Sequence, residues 1–94
     1  MIIEWLPAAR RDFDSIIDFI AADNLLAAIE QGDEIELQIT SLVEHRQLGR
    51  PGRIKGTREL VIVRTPYIAA YRVKQGKIQL LRILHGAQQW PEAF

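Results

Sequence analysis

The sequence predicts an α+β fold, a helical hairpin packed on a mainly antiparallel four-stranded sheet in the order β-α-α-β-β-β. Three observations predict it. Two apolar stripes of helical period run through the first half, separated by Asp23-Asn24. Three segments rich in valine, isoleucine, leucine and tyrosine fill residues 59–85. A short β-branched segment, Ile2 to Trp5, precedes the first helix.

Pro7 follows the first strand and suits the first turn of a helix. Phe13, Ile16, Ile17 and Ile20 then recur at i, i+3, i+4 and i+7, while Arg10, Arg11, Asp14 and Asp18 fall off that stripe. Asp23-Asn24 reads as a turn and a helix cap. The second helix spans roughly 25–45. Leu25, Ala28, Gly32, Ile35, Ile39 and Leu42 form its seam against the first helix. A glycine in mid-helix costs about 1 kcal/mol against alanine. Gly32 on the seam is therefore read as a close helix–helix approach; the alternative is a break between two shorter helices.

Residues 46–57 hold three glycines, a proline and several bases, and read as a loop. No Gly-Lys-Ser/Thr closes it, so it is not a nucleotide-binding P-loop. Its Arg50-Pro-Gly-Arg53 centre is either solvated or a contact for a phosphate backbone. The three strands are Glu59–Arg64, Tyr67–Lys74 and Lys77–His85, with Gln75-Gly76 as a tight hairpin turn. A two-residue turn sets Val73 opposite Ile78, Tyr71 opposite Leu80 and Ala69 opposite Arg82. Tyr71, Leu80, Arg82 and Leu84 then share one face; Ala70, Arg72, Gln79, Leu81, Ile83 and His85 share the other. Both faces are largely apolar. One holds the helices, and the other needs cover or a partner.

At 94 residues the chain is read as a single domain, residues 1–94, with a modest core. Cysteine is absent, which excludes a disulfide framework and thiolate chemistry. His45 and His85 are too few and too far apart for a zinc pattern, and no metal or cofactor is expected. No stretch approaches the ~20 apolar residues of a membrane span, and the N-terminus lacks a basic-then-apolar leader. The expected setting is the reducing cytoplasm, with no membrane partner.

The net charge of zero hides a split. Residues 1–45 carry ten acids and two bases; residues 46–94 carry ten bases against Glu59 and Glu92. The halves can attract each other within one fold, and the basic half can meet nucleic acid or an acidic partner.

Four motifs in register resemble a known family: Gly49-Arg50-Pro51-Gly52-Arg53; Gly56-Thr57-Arg58-Glu59-Leu60; Pro66-Tyr67-Ile68 with Tyr71-Arg72-Val73; and Leu81-Arg82-Ile83-Leu84-His85-Gly86. Leu6-Pro7-Ala8-Ala9 with Asp12 and Phe13 adds the first helix. Together they are similar to the ParE branch of the RelE/ParE toxins, over essentially the whole chain. The resemblance implies the toxin of a type II toxin–antitoxin pair. It also implies a cognate antitoxin, a small DNA-binding protein whose flexible segment wraps the toxin.

The superfamily has two activities: RelE-like members cleave messenger RNA on the ribosome, and ParE-like members poison DNA gyrase. Cleavage through a 2′-hydroxyl needs a base, cations for the phosphate and an acid for the leaving oxygen. Aligned on the Pro66-Tyr67 turn and Gly86, the positions that carry cations in RelE-type toxins fall on Glu59, Val61, Ile68 and Gln88. None is basic. The terminal tyrosine is missing, with Trp90 nearby.

Some RNA-cleaving relatives place a catalytic histidine at the end of the last strand, so a nuclease here would use Arg72, Arg82 and His85. A histidine titrates near neutral pH. The alternative for His85 is a strand-end residue hydrogen-bonded to nearby backbone. For Arg82 the alternative is a charge flanked by Leu80 and Leu84 and paired with a carboxylate such as Glu59. Arg58, Arg72, Arg82, His85 and Trp90 are the candidate target contacts, and Trp90-Pro91 also suits an apolar anchor for the tail. The leading expectation is a non-enzymatic gyrase poison neutralised by an antitoxin. The alternative is a ribosome-dependent endoribonuclease, and a third is a decayed toxin that only binds its antitoxin.

Overall fold

A computed structural model describes all 94 residues. Strand β1 (Ile2–Trp5) leads into helix α1 (Pro7–Ala21) and then helix α2 (Leu25–Thr40). A single 3₁₀ turn, Ser41–Val43, ends the helical half. Four strands follow: β2 (Arg50–Pro51), β3 (Arg58–Val61), β4 (Tyr67–Lys74) and β5 (Lys77–His85). The sheet order is β1-β5-β4-β3-β2. Only the β1–β5 pair is parallel. The fold class is the expected one, with a fifth, two-residue strand inside the glycine-rich loop.

Helix α1 opens at Pro7, whose missing N–H is needed by no intrahelical bond. Asn24 caps α2, its side chain accepting the Ala27 N–H at 3.0 Å. Ala28, Gly32, Ile35 and Ile39 form the buried face of α2, joined by Leu42 in the 3₁₀ turn. Leu25, expected on this seam, is exposed in the first turn of α2. A Cβ on Gly32 would stand 3.0 Å from Ile17 Cδ1 and 3.6 Å from Phe13 Cζ. The glycine therefore marks close helix approach, and the helix continues through it. Residues 41–45 leave the helix earlier than the apolar period suggested, and β3 ends at Val61 rather than Arg64. Arg64 takes a left-handed φ of 66°, which no strand permits.

Gln75 and Gly76 both have positive φ, the geometry of a two-residue type I′ turn. The β4–β5 register begins as expected, with Val73 opposite Ile78 and Tyr71 opposite Leu80. A bulge then intervenes. Arg82 pairs with Ala70, not Ala69, and Ala69 faces Ile83. One extra residue on β5 reverses the two faces beyond it. Ile83 thus joins Leu60, Ile62, Tyr67, Ala69, Tyr71, Ile78 and Leu80 in the core under Ala9, Phe13, Ile35, Ile39 and Leu42. Leu84 moves to the opposite face.

That opposite face is also apolar. Ile68, Ala70, Leu81 and Leu84 are buried but stand outside the core cluster. The C-terminal segment returns over this side. Ala93 and Phe94 border a hollow with Leu81, and the ring of Trp90 lies 3.7 Å from the guanidinium of Arg53.

Candidate functional site

The most strongly built polar cluster lies where β2, β3 and the C-terminal segment meet. Glu59 is 3% exposed, one of two acids in the basic half of the chain. A buried carboxylate needs partners, and it has them. One oxygen accepts from Arg50 Nη2 at 3.2 Å. The other accepts the Arg53 backbone N–H at 2.8 Å and lies 3.4 Å from Arg53 Nε. Arg53 then stacks on Trp90. The Arg50-Pro-Gly-Arg53 segment is thus fixed by one acid, with both guanidinium groups about half exposed. The sequence offered Glu59 only as one possible carboxylate partner for Arg82. The available signal was the isolation of this single acid among bases beside a glycine-rich loop.

Arg82 is paired with Asp12 on α1 instead. Its Nε and Nη2 donate to the two carboxylate oxygens at 2.7 and 3.1 Å. Asp12 Oδ2 also accepts the Ile83 N–H at 2.9 Å. Strand β1 pairs with β5 only as far as Leu80, so this N–H would otherwise lie on an uncovered strand edge. Asp12 holds the Arg82 pKa above its ordinary value, ahead of the opposing effect of burial. Arg72 donates through Nε to Gln79 Oε1 at 2.7 Å. Arg58 Nη1 donates to the Gly49 carbonyl at 2.7 Å, beside the Tyr71 hydroxyl.

His85 ends β5, exposed, with its ring edge-on to Tyr67 at 5.7 Å. Its Nδ1 accepts the Ala87 N–H at 3.0 Å, and its own N–H donates to Gln88 Oε1 at 2.7 Å. The neutral ring therefore carries its proton on Nε2. This is a strand-end histidine bonded to nearby backbone. Past the bulge, His85 shares a face with Ile83, and Arg82 belongs to the other side. Arg72 and Arg82 border one hollow, which His85 does not line. The three residues that a nuclease would use do not converge.

The positions Glu59, Val61 and Ile68 lie together on one face of the sheet, and the cations there, Arg50 and Arg53, are paired with Glu59. Val61 and Ile68 are direct cross-strand partners, and Glu59 faces Ala70 beside them. Gln88 closes the turn after β5. Burial pushes the hydroxyls of Tyr67 and Tyr71 above their ordinary pKa, so neither supplies a phenolate near neutral pH. The arrangement presents fixed surface charge and no proton-transfer pair aimed at a common point.

Comparisons with known proteins agree with this architecture. Residues 3–90 match the family described as the ParE toxin of type II toxin–antitoxin system, parDE. The chain is 40% identical over 92 residues to Y4kP of Sinorhizobium fredii, named as a candidate toxin, spanning 98% of this chain and 95% of that protein. It is 33% identical over 86 residues to the toxin RelE2 of Caulobacter vibrioides, spanning 92% and 96% of the two. A solved chain of the chromosomal ParDE system of P. aeruginosa superposes with a TM-score of 0.82 at 33% identity, covering 90% of this chain and 95% of that one. The RelBE2 toxin–antitoxin complex of Mycobacterium tuberculosis shares the fold, with a TM-score of 0.57 at 24% identity and coverage of 89% and 95%. Fold and relatives define a toxin of a type II toxin–antitoxin system. Within that class, the chain belongs to the ParE toxin family.

Proposed function

We propose that this toxin acts by binding DNA gyrase and arresting it, without cleaving RNA, and that a cognate antitoxin neutralises it. The observation that carries this reading is the state of the sheet face at Glu59, Val61 and Ile68. RNA cleavage needs cations there to stabilise a pentavalent phosphate. The face offers one carboxylate and two apolar side chains, and the carboxylate occupies the nearest arginines, Arg50 and Arg53. The separation of His85 from Arg72 and Arg82 supports the same conclusion.

The antitoxin reading draws on the P. aeruginosa ParDE likeness and on the surface itself. Phe19, Leu25, Leu26, Ile29 and Leu37 lie exposed on the helical hairpin, and Leu48, Val61 and Val63 lie exposed near the β3 edge. An amphipathic segment laid along such surface would bury it.

The deciding experiment compares two assays with one purified toxin. Gyrase supercoiling should be inhibited, or cleaved DNA trapped on the enzyme, while ribosome-bound messenger RNA stays intact. Codon-specific cuts in translated messages with gyrase unaffected would reverse the assignment.

A further inference from the structure

A hollow of about 430 Å³ lies at the start of α1, between that helix, β4, β5 and the end of the chain. Leu6, Pro7, Ala8, Leu81, Ala93 and Phe94 supply its apolar lining, and Arg11, Arg72 and Arg82 supply its charge. No acidic side chain lines it. We propose that this hollow binds a carboxylate carried on an apolar segment of a partner protein.

The charges decide the sign. Arg82 is neutralised by Asp12. Arg11 and Arg72 are in no ion pair. Arg72 is nevertheless held in place. Its Nε donates to Gln79, whose amide donates to Glu4 at 3.0 Å. That relay fixes the guanidinium plane and leaves both Nη groups for a ligand. Two unpaired guanidinium groups over low-dielectric walls favour an anion, and their planar forks match a carboxylate.

The shape decides the class. Phosphates of a nucleic acid recur along a strand and call for a track of cations. Here the cations converge on one concave spot with a mostly apolar lining. A glutamate or aspartate flanked by apolar side chains satisfies both parts. The site is separate from the Glu59 patch, and it rests on the non-nuclease reading, since a nuclease would use Arg72 and Arg82.

The test is an NMR titration of the full chain with three probes: phenylacetate, benzyl alcohol and inorganic phosphate. Phenylacetate should shift the Arg11 and Arg72 side-chain Nε signals and the Leu81 and Phe94 amides. Benzyl alcohol, which keeps the apolar part, should not. The Arg11→Gln/Arg72→Gln variant should bind phenylacetate about tenfold more weakly or worse, having lost two charge-assisted contacts. Arg72→Lys, which keeps charge without the fork, should fall between. Equal shifts from benzyl alcohol, larger shifts from phosphate than from phenylacetate, or unchanged affinity in a folded double variant would each overturn the proposal. If the double variant does not fold, the three wild-type titrations decide.

Discussion

Asp12 and Arg82 lie 70 residues apart in sequence and are joined by two hydrogen bonds of 2.7 and 3.1 Å. The same carboxylate takes the Ile83 N–H. One side chain thus fastens α1 to the edge of β5 at the point where β1 stops pairing.

Replacing Asp12 tests that role. Asp12→Ala leaves a partly buried guanidinium and a backbone N–H without partners, at a cost of about 2–3 kcal/mol. For a chain of this size that lowers Tm by roughly 10–20 °C. The double variant Asp12→Ala/Arg82→Leu removes the stranded charge and should recover part of the loss. Calorimetry of the two variants checks the order.

Tyr71 is expected to hold the 46–49 segment in place. Its buried hydroxyl donates to the Arg46 carbonyl at 2.7 Å and accepts the Gly49 N–H at 2.9 Å. Tyr71→Phe should cost about 1–3 kcal/mol. Amide exchange at Gly49 should accelerate more than exchange in the helices. Gly49→Ala should loosen the same segment, since its Cβ would stand 2.6 Å from the tyrosine ring and hydroxyl.

Glu34 links α2 to the β3–β4 turn through Arg64, and Arg64 holds its carboxyl below the ordinary value of 4.5, with Gln38 assisting. A depressed folded-state pKa gives stability that is complete above the unfolded value. That stability is lost as pH falls through the folded value. The Glu34→Gln variant should therefore be less stable than the parent at neutral pH. The two should converge in acid, below 4.5. The contact is exposed, so added salt should shrink the difference. Denaturant unfolding across pH at two ionic strengths measures both effects.

His85→Gln separates the two possible modes of action. General acid or base catalysis contributes about 10²–10⁴-fold, so a nuclease would become harmless. A binder would lose one contact of about 0.5–1.5 kcal/mol, at most roughly tenfold in affinity. Glutamine can also accept the Ala87 N–H. Toxicity should be weakened and restored by high expression. A folded, antitoxin-binding variant that is harmless at every dose would speak for RNA cleavage.

The elements themselves were legible without coordinates. Strands Ile2–Trp5, Tyr67–Lys74 and Lys77–His85 begin and end where composition and turn residues put them. The cap at Asn24 and the close packing at Gly32 followed from residue type and helical spacing. Local sterics and apolar period act within a few residues, so sequence carries them directly. The motifs also carried the toxin family, because they recur in register along the whole chain.

Long-range pairing was decided only in three dimensions. In Leu80-Leu81-Arg82-Ile83-Leu84, apolar residues occupy both phases of the strand, so alternation fits either register. Packing chose the bulge that turns Ile83 inward and brings its N–H to Asp12. The acid that meets Arg82 is likewise Asp12, not Glu59, which pairs with Arg50 and Arg53. Charge type names the class of partner, but the acid that meets a given arginine depends on where α1 and β2 are placed by the core. Asp12 and Arg53 reach their partners through that placement, which no local pattern encodes.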